Sequence, residues 1–200
     1  MILLNPNNKS YIEQVAGLHS AFLKTGFLSK LGKNFLINLY EAIARSENSF
    51  LIVFVEKEKV IGFISGTENL NLFYKYFFKT YFFNIIVSLL PVIFSFNKLK
   101  KVIEIICYIK GKDREDVKLP DAELLSIVVE QNSRGKNIGE KLFITLLEEF
   151  KKRNIKEFKI IVGSELKHAK KFYEKLGAEQ IGEIELHKGA DSIIYIFKVE

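Results

Sequence analysis

The 200-residue chain holds a single cysteine, Cys107, so no intrachain disulfide is possible and a reduced, cytoplasmic setting is the expectation. Its first residues, Met1-Ile-Leu-Leu-Asn-Pro-Asn-Asn, lack the basic start and long apolar run of a signal peptide. No grouping of His, Cys and Asp has metal-ligand spacing, so no metal is expected. Internal repeats and low-complexity linkers are absent too. The net charge is +6, but the lysines are scattered among glutamates rather than set in one stripe. That distribution argues against a nucleic-acid partner and favours anionic small ligands, or serves solubility alone. What is present is 48% hydrophobic and 27% charged residues, enough to build and solvate one core. The chain is therefore read as one domain over 1–200, interrupted by an unusual segment at 69–113.

Apolar periodicity predicts helices over 10–23, with Ser10 and Glu13 as a capping box, and over 34–45. Runs at 50–55 and 60–65 read as a hairpin around Glu56-Lys57-Glu58-Lys59. Residues 98–110 read as helix or strand, and 111–120 as a polar loop. The second half alternates: strand 124–129, a glycine-bearing loop, helix 139–152, strand 157–162, helix 168–176 stopped by Gly177, and strands 181–186 and 192–199 around a turn at 187–191. The order implies a mixed α/β fold.

The loop is the chemical signal. A buried strand feeds Arg134-Gly135-Lys136-Asn137-Ile138-Gly139, where a helix starts. Glycine lets backbone N–H groups approach an anion, and a helix start offers unpaired N–H groups with a partial positive charge. Arg134 and Lys136 add charge-assisted contacts. A P-loop would require Gly-Lys-Ser/Thr, but Asn137 follows Lys136, and the three glycines of a dinucleotide fingerprint are lacking. Alone, the pattern supports an anion site or merely a glycine-eased turn.

About thirty residues on comes Ala169-Lys170-Lys171-Phe172-Tyr173-Glu174-Lys175-Leu176-Gly177-Ala178. Together, loop and helix resemble the GNAT superfamily of acyl-CoA-dependent N-acetyltransferases. Arg134, Gly135, Lys136, Ile138 and Gly139 match that family's loop, and Ala169, Phe172, Tyr173, Leu176 and Gly177 match its helix. The likeness covers 122–185 and, more loosely, 10–67; it is absent over 69–113. Asn137 stands where many members have glycine, Ala178 replaces an aromatic, and Ser164-Glu165-Leu166 replace a common asparagine.

The resemblance implies a central, mostly antiparallel mixed sheet flanked by helices, with an aromatic-rich helical insertion between strands three and four. It implies acetyl-CoA as cosubstrate, lying between strands 124–129 and 157–162. Backbone groups of Ile127, Val128 and Val129 would meet the pantetheine arm, and residues 134–139 the pyrophosphate. The amine would attack the thioester directly, which agrees with Cys107 lying outside the motifs. Tyr173 is the candidate general acid, or else packs beside the cofactor; Glu123 is the candidate base, or else a solvated strand-end carboxylate. Ser126, His187 and Asp191 are candidate substrate contacts, the last two also serving as turn residues. His19 and His168 read as helix-face and helix-start residues. The acceptor is expected to be a small-molecule amine. The stretch His19-Ser-Ala-Phe-Leu-Lys-Thr-Gly-Phe-Leu-Ser-Lys-Leu-Gly is similar to bacterial GNAT proteins associated with surface-polysaccharide genes, which implies an amino sugar or glycan precursor. A protein amine, or a non-catalytic acyl-CoA-binding module, is the alternative.

Residues 69–96 are crowded with aromatics and carry only two charges, Lys75 and Lys79. Asn84, Ser88 and Pro91 weaken a membrane-spanning reading of 72–96, and one span would separate two strands of a single sheet. The segment is left as a packed insertion lining the acceptor site, a homodimer interface, or a surface lying flat on a membrane.

Overall fold

The computed structural model describes residues 1–24, 26, 28–93, 119–187 and 190–199. These form one seven-stranded sheet of order β1-β2-β3-β4-β5-β7-β6. The strands are β1 (Ile2–Leu3), β2 (Ser49–Glu56), β3 (Lys59–Thr67), β4 (Glu123–Val129), β5 (Glu157–Gly163), β6 (Glu179–His187) and β7 (Ala190–Lys198). Neighbours are antiparallel except β4 and β5. The helices are α1 (Lys9–Phe22), α2 (Lys33–Arg45), α3 (Leu70–Thr80), α4 (Phe82–Ile93), α5 (Ile138–Lys152) and α6 (Lys167–Lys175). The expected mixed sheet, hairpin and helical insertion between the third and fourth strands are all present.

Each sheet face buries its own core. Alternation along the strands sends Leu51, Val53 and Phe63 toward α1–α4, and Ile52, Ile64, Phe158 and Tyr195 toward α5 and α6. On the second face Phe158 stacks on Phe150 at 4.7 Å and on Phe197 at 5.5 Å. Gly66 is required here: a Cβ would sit 2.7 Å from the Phe50 ring.

Three expectations change. Asn8, not Ser10, caps α1: its side chain accepts from the Tyr11 N–H at 3.2 Å. The helix thus starts one residue before Ser10, and Ser10 Oγ instead accepts from Gln14. The strand Ile2–Leu3, too short to show periodicity, pairs with Val53 and Ile52. The last turn is tighter than 187–191, because β6 and β7 continue to a His187–Ala190 pair. The expectations for 98–110, and all but the end of 111–120, lie outside the described residues.

Phe158→Ala should cost about 3–5 kcal/mol by urea unfolding, the range for emptying a buried aromatic site. Phe83→Ala, at an exposed position on α4, should stay within about 0.5 kcal/mol. Similar losses at both sites would contradict the packing.

Candidate active site

Strands β4 and β5 run parallel but pair at two positions only, Glu123 with Lys159 and Leu124 with Ile160. Beyond these pairs β4 stays registered on β3 through Val129, and β5 on β7 through Gly163. The two strands therefore present facing edges with no register partner between them among the described residues. A bulge sharpens this divergence: Ser65 pairs with Ser126 and Gly66 with Leu124, so Leu125 is an extra residue in β4. The bulge puts Leu125 and Ser126 on one side of the sheet. Leu125 packs into the α1–α4 core, and Ser126 lies close enough to the Tyr40 phenol of α2 to influence its ionisation.

The open end of this cleft carries the glycine-bearing loop. After Val129, the chain makes a 3-10 turn, Gln131–Ser133, and enters α5 through Asn137. Asn137 caps α5 in a left-handed conformation, φ 56° and ψ 20°, with no side-chain cap bond. Asparagine is among the few non-glycine residues that adopt this conformation readily, which explains how it stands at a position often held by glycine. Gly135 is also left-handed, at φ 79°, and faces open space. The first acceptor in α5 is the Asn137 carbonyl, bonded by Lys141 N–H. The N–H groups of Gly135 through Glu140 have no backbone partner among the described residues. Arg134 and Lys136 are exposed beside them. The Arg134 guanidinium lies 5.8 Å from the Phe22 ring of α1.

Gly139 joins the loop to α6. A Cβ there would meet Phe172 at 3.5 Å and Val129 at 3.8 Å, so the end of β4, the start of α5 and the middle of α6 converge. Next to Phe172, Tyr173 is buried, with its ring centroid 5.3 Å from Phe172 and 6.3 Å from Phe143. Burial pushes its phenol above the ordinary tyrosine value, so it keeps its proton. Tyr195 of β7 holds α6 in place by donating to Glu174 at 2.9 Å.

The closed end holds Glu123. Its carboxylate is nearly buried and 3.7 Å from Lys159 Nζ, which donates to the Pro120 carbonyl at 2.5 Å. Glu123 Oε2 has no hydrogen-bond partner among the described residues, and neither has Ser65 Oγ. Desolvation raises the Glu123 pKa from 4.5 to about 7, against the opposing pull of Lys159. Tyr74 of α3 lies within electrostatic reach of the same carboxylate, which brings the insertion up to this end of the sheet. Glu123 is thus no solvated strand-end group.

Other expected residues divide. His19 is buried, with Nδ1 2.6 Å from the Tyr40 hydroxyl; burial lowers its pKa to about 4, which keeps it neutral. His168 is exposed in the first turn of α6. Asp191 is exposed, and its carbonyl accepts from Ser164 N–H at 2.9 Å. It sits with His187 at the hairpin beside Gly163, the open end of β5, away from Glu123. Lys159 and Tyr40 escaped sequence reasoning, although a lysine inside the apolar run Phe158-Lys159-Ile160-Ile161 was a visible signal.

The family model described as "Acetyltransferase (GNAT) family" matches residues 18–178. Among solved structures, an N-acetyltransferase from Staphylococcus aureus Mu50 is 14% identical with TM-score 0.61, covering 96% of this chain and 95% of that one. An aminoglycoside 6'-N-acetyltransferase complexed with coenzyme A is 15% identical with TM-score 0.61, covering 100% and 98%. Arabidopsis thaliana NAA60 in complex with acetyl-CoA is 12% identical with TM-score 0.58, covering 99% and 97%. These likenesses are of fold. No curated protein sequence matches the chain.

The Glu123 environment has a stability signature. The folded state holds this proton up to about pH 7, whereas the reference value is 4.5, so between the two the folded state binds more protons. Its contribution is therefore full below pH 4.5 and lost as pH rises through 7. Glu123→Gln removes that loss. Urea unfolding should show the variant gaining on wild type by about 1–3 kcal/mol between pH 5 and 8. A pH-independent difference would contradict the buried carboxylate.

Proposed function

This chain belongs to the acetyltransferase (GNAT) family, and on that premise we propose that it transfers an acetyl group from acetyl-CoA to the primary amine of a small acceptor, an amino sugar or glycan precursor. The observation that carries this reading is the parting of β4 from β5 after two register pairs, beside an α5 start whose N–H groups are unpaired. Such a start, with Gly135 facing open space and Arg134 and Lys136 alongside, suits a pyrophosphate. The facing edges of Leu125–Val129 and Ile161–Gly163, including the backbone of Ile127, Val128 and Val129, suit an amide-bearing arm, which can pair as an added strand does.

When bound, acetyl-CoA supplies a thioester open to attack by an amine. Glu123 takes a proton from the incoming ammonium at Oε2, which accepts no hydrogen bond among the described residues, directly or through water. Its buried anion also attracts the cation, while Lys159 keeps part of the Glu123 population ionised at neutral pH. Tyr173 holds its proton toward the leaving sulfur. A thiol ionises near pH 8.5, roughly, and burial moves the phenol above its ordinary value of about 10. Hydrogen-bond donation to the thiolate is therefore favoured over full proton transfer. Ser126, near the Tyr40 phenol and on the same side of β4 as Glu123, suits a hydroxyl of the acceptor. His187 and Asp191, at the open end of β5, are assigned no contact with the amine.

Release of CoA thiol with a panel of amino sugars, peptide amines and simple amines tests the reading. Turnover should be highest with amino sugars. Turnover only with peptides would reassign the acceptor, and CoA binding without any turnover would make the chain a binding module. Tyr173→Phe should lower kcat by about 100-fold while leaving the acetyl-CoA KM near its wild-type value. The wild-type kcat/KM should rise through about pH 7 as Glu123 ionises, and Glu123→Gln should lack that limb.

A further inference from the structure

Helix α4 has two apolar faces. Ile85 is buried in the α1–α4 core with Leu89 packed against it, and Asn38 of α2 donates to Ser88 Oγ at 3.0 Å, so one face is clamped onto the domain. The other face is exposed: Phe82 at 54%, Phe83 at 78%, Ile86 at 41% and Val87 at 64%. These four recur at helical spacing and form one stripe. A stripe of this kind is costly in water and marks a contact surface.

We propose that this stripe docks the protein onto an anionic phospholipid surface. The charges of the two helices decide the occupant, since Glu41 and Arg45 of α2, near Tyr81, pair with each other at 2.9 Å. Across α3 and α4 the only charged residues are Lys75 and Lys79, both exposed, and there is no acidic residue in either helix. Lysines on the helix that leads into an apolar stripe complement negative headgroups while the stripe enters the acyl boundary. A second copy fits less well: a two-fold interface centred on the stripe would bring like lysines together with no carboxylate on either helix to pair them. Among the described residues no helix is long and apolar enough to cross a membrane, so the contact lies in the plane of the surface.

Cosedimentation of the full chain with vesicles tests this. The protein should bind phosphatidylcholine vesicles containing phosphatidylglycerol, and bind pure phosphatidylcholine much less. Phe82→Ser with Phe83→Ser should weaken binding at least about tenfold, because both rings lose their burial in the acyl boundary. Lys75→Gln with Lys79→Gln should weaken it by about fivefold per lysine on anionic vesicles only, an effect that salt should reproduce. Both variants change exposed side chains, and unchanged circular dichroism confirms their fold. No binding of wild type to anionic vesicles, or binding indifferent to Phe82 and Phe83, overturns the proposal. So does a wild-type dimer that Phe82→Ser with Phe83→Ser dissociates, since the stripe is then covered by a second copy.

Discussion

The rest of the site depends on β4 and β5 pairing at two positions only, Glu123 and Leu124 of β4 with Lys159 and Ile160 of β5. A parallel pair joined through α5 would ordinarily run on as a continuous ladder. Here each strand is committed to its other neighbour, β4 to β3 and β5 to β7, and the extra residue Leu125 turns β4 as it leaves the joint. The result is two strand edges facing a gap, with the positive end of a helix at its mouth and a buried carboxylate at its closed end. Filling the gap with pairing would remove the site.

The two faces of the sheet divide the chemistry. Tyr173 lies in the core shared by α5 and α6, where Phe143, Phe172 and Tyr195 surround its ring. Glu123, Ser126 and Tyr40 belong to the side covered by α1–α4. The gap between β4 and β5 is where these sides meet. Burial sets the protonation of each group in the direction its position demands: the Tyr173 phenol stays neutral, His19 stays neutral, and Glu123 titrates near neutrality because Lys159 offsets part of its desolvation.

Much of this was legible in local sequence. The loop at Arg134–Gly139 and the helix around Phe172 and Tyr173 are contiguous motifs, and β-rich apolar runs located β2 to β5 to within two residues at each end. Even the departure at Asn137 makes sense once its φ of 56° is known. What sequence could not show is non-local. The bulge at Leu125 exists only in register against β3, the Lys159 partner of Glu123 comes from a strand 36 positions on, and the Asn8 cap displaced an equally plausible Ser10. The aromatic insertion could be read as a packed insertion, a dimer interface or a membrane-lying surface, but its break near Tyr81 into two short helices, α3 and α4, with one face packed has no local signal.

The central claim is that the Arg134–Gly139 loop holds a pyrophosphate at the mouth of the β4–β5 gap. Calorimetric titration of CoA and of pantetheine, which lacks the pyrophosphate, into wild type and the Arg134→Ala, Lys136→Ala double variant tests it most directly. CoA affinity should fall by about 10–100-fold in the variant, as expected for two lost charge-assisted contacts, while pantetheine affinity stays unchanged. Equal CoA affinity in the two proteins, or a matching loss for pantetheine, would contradict it.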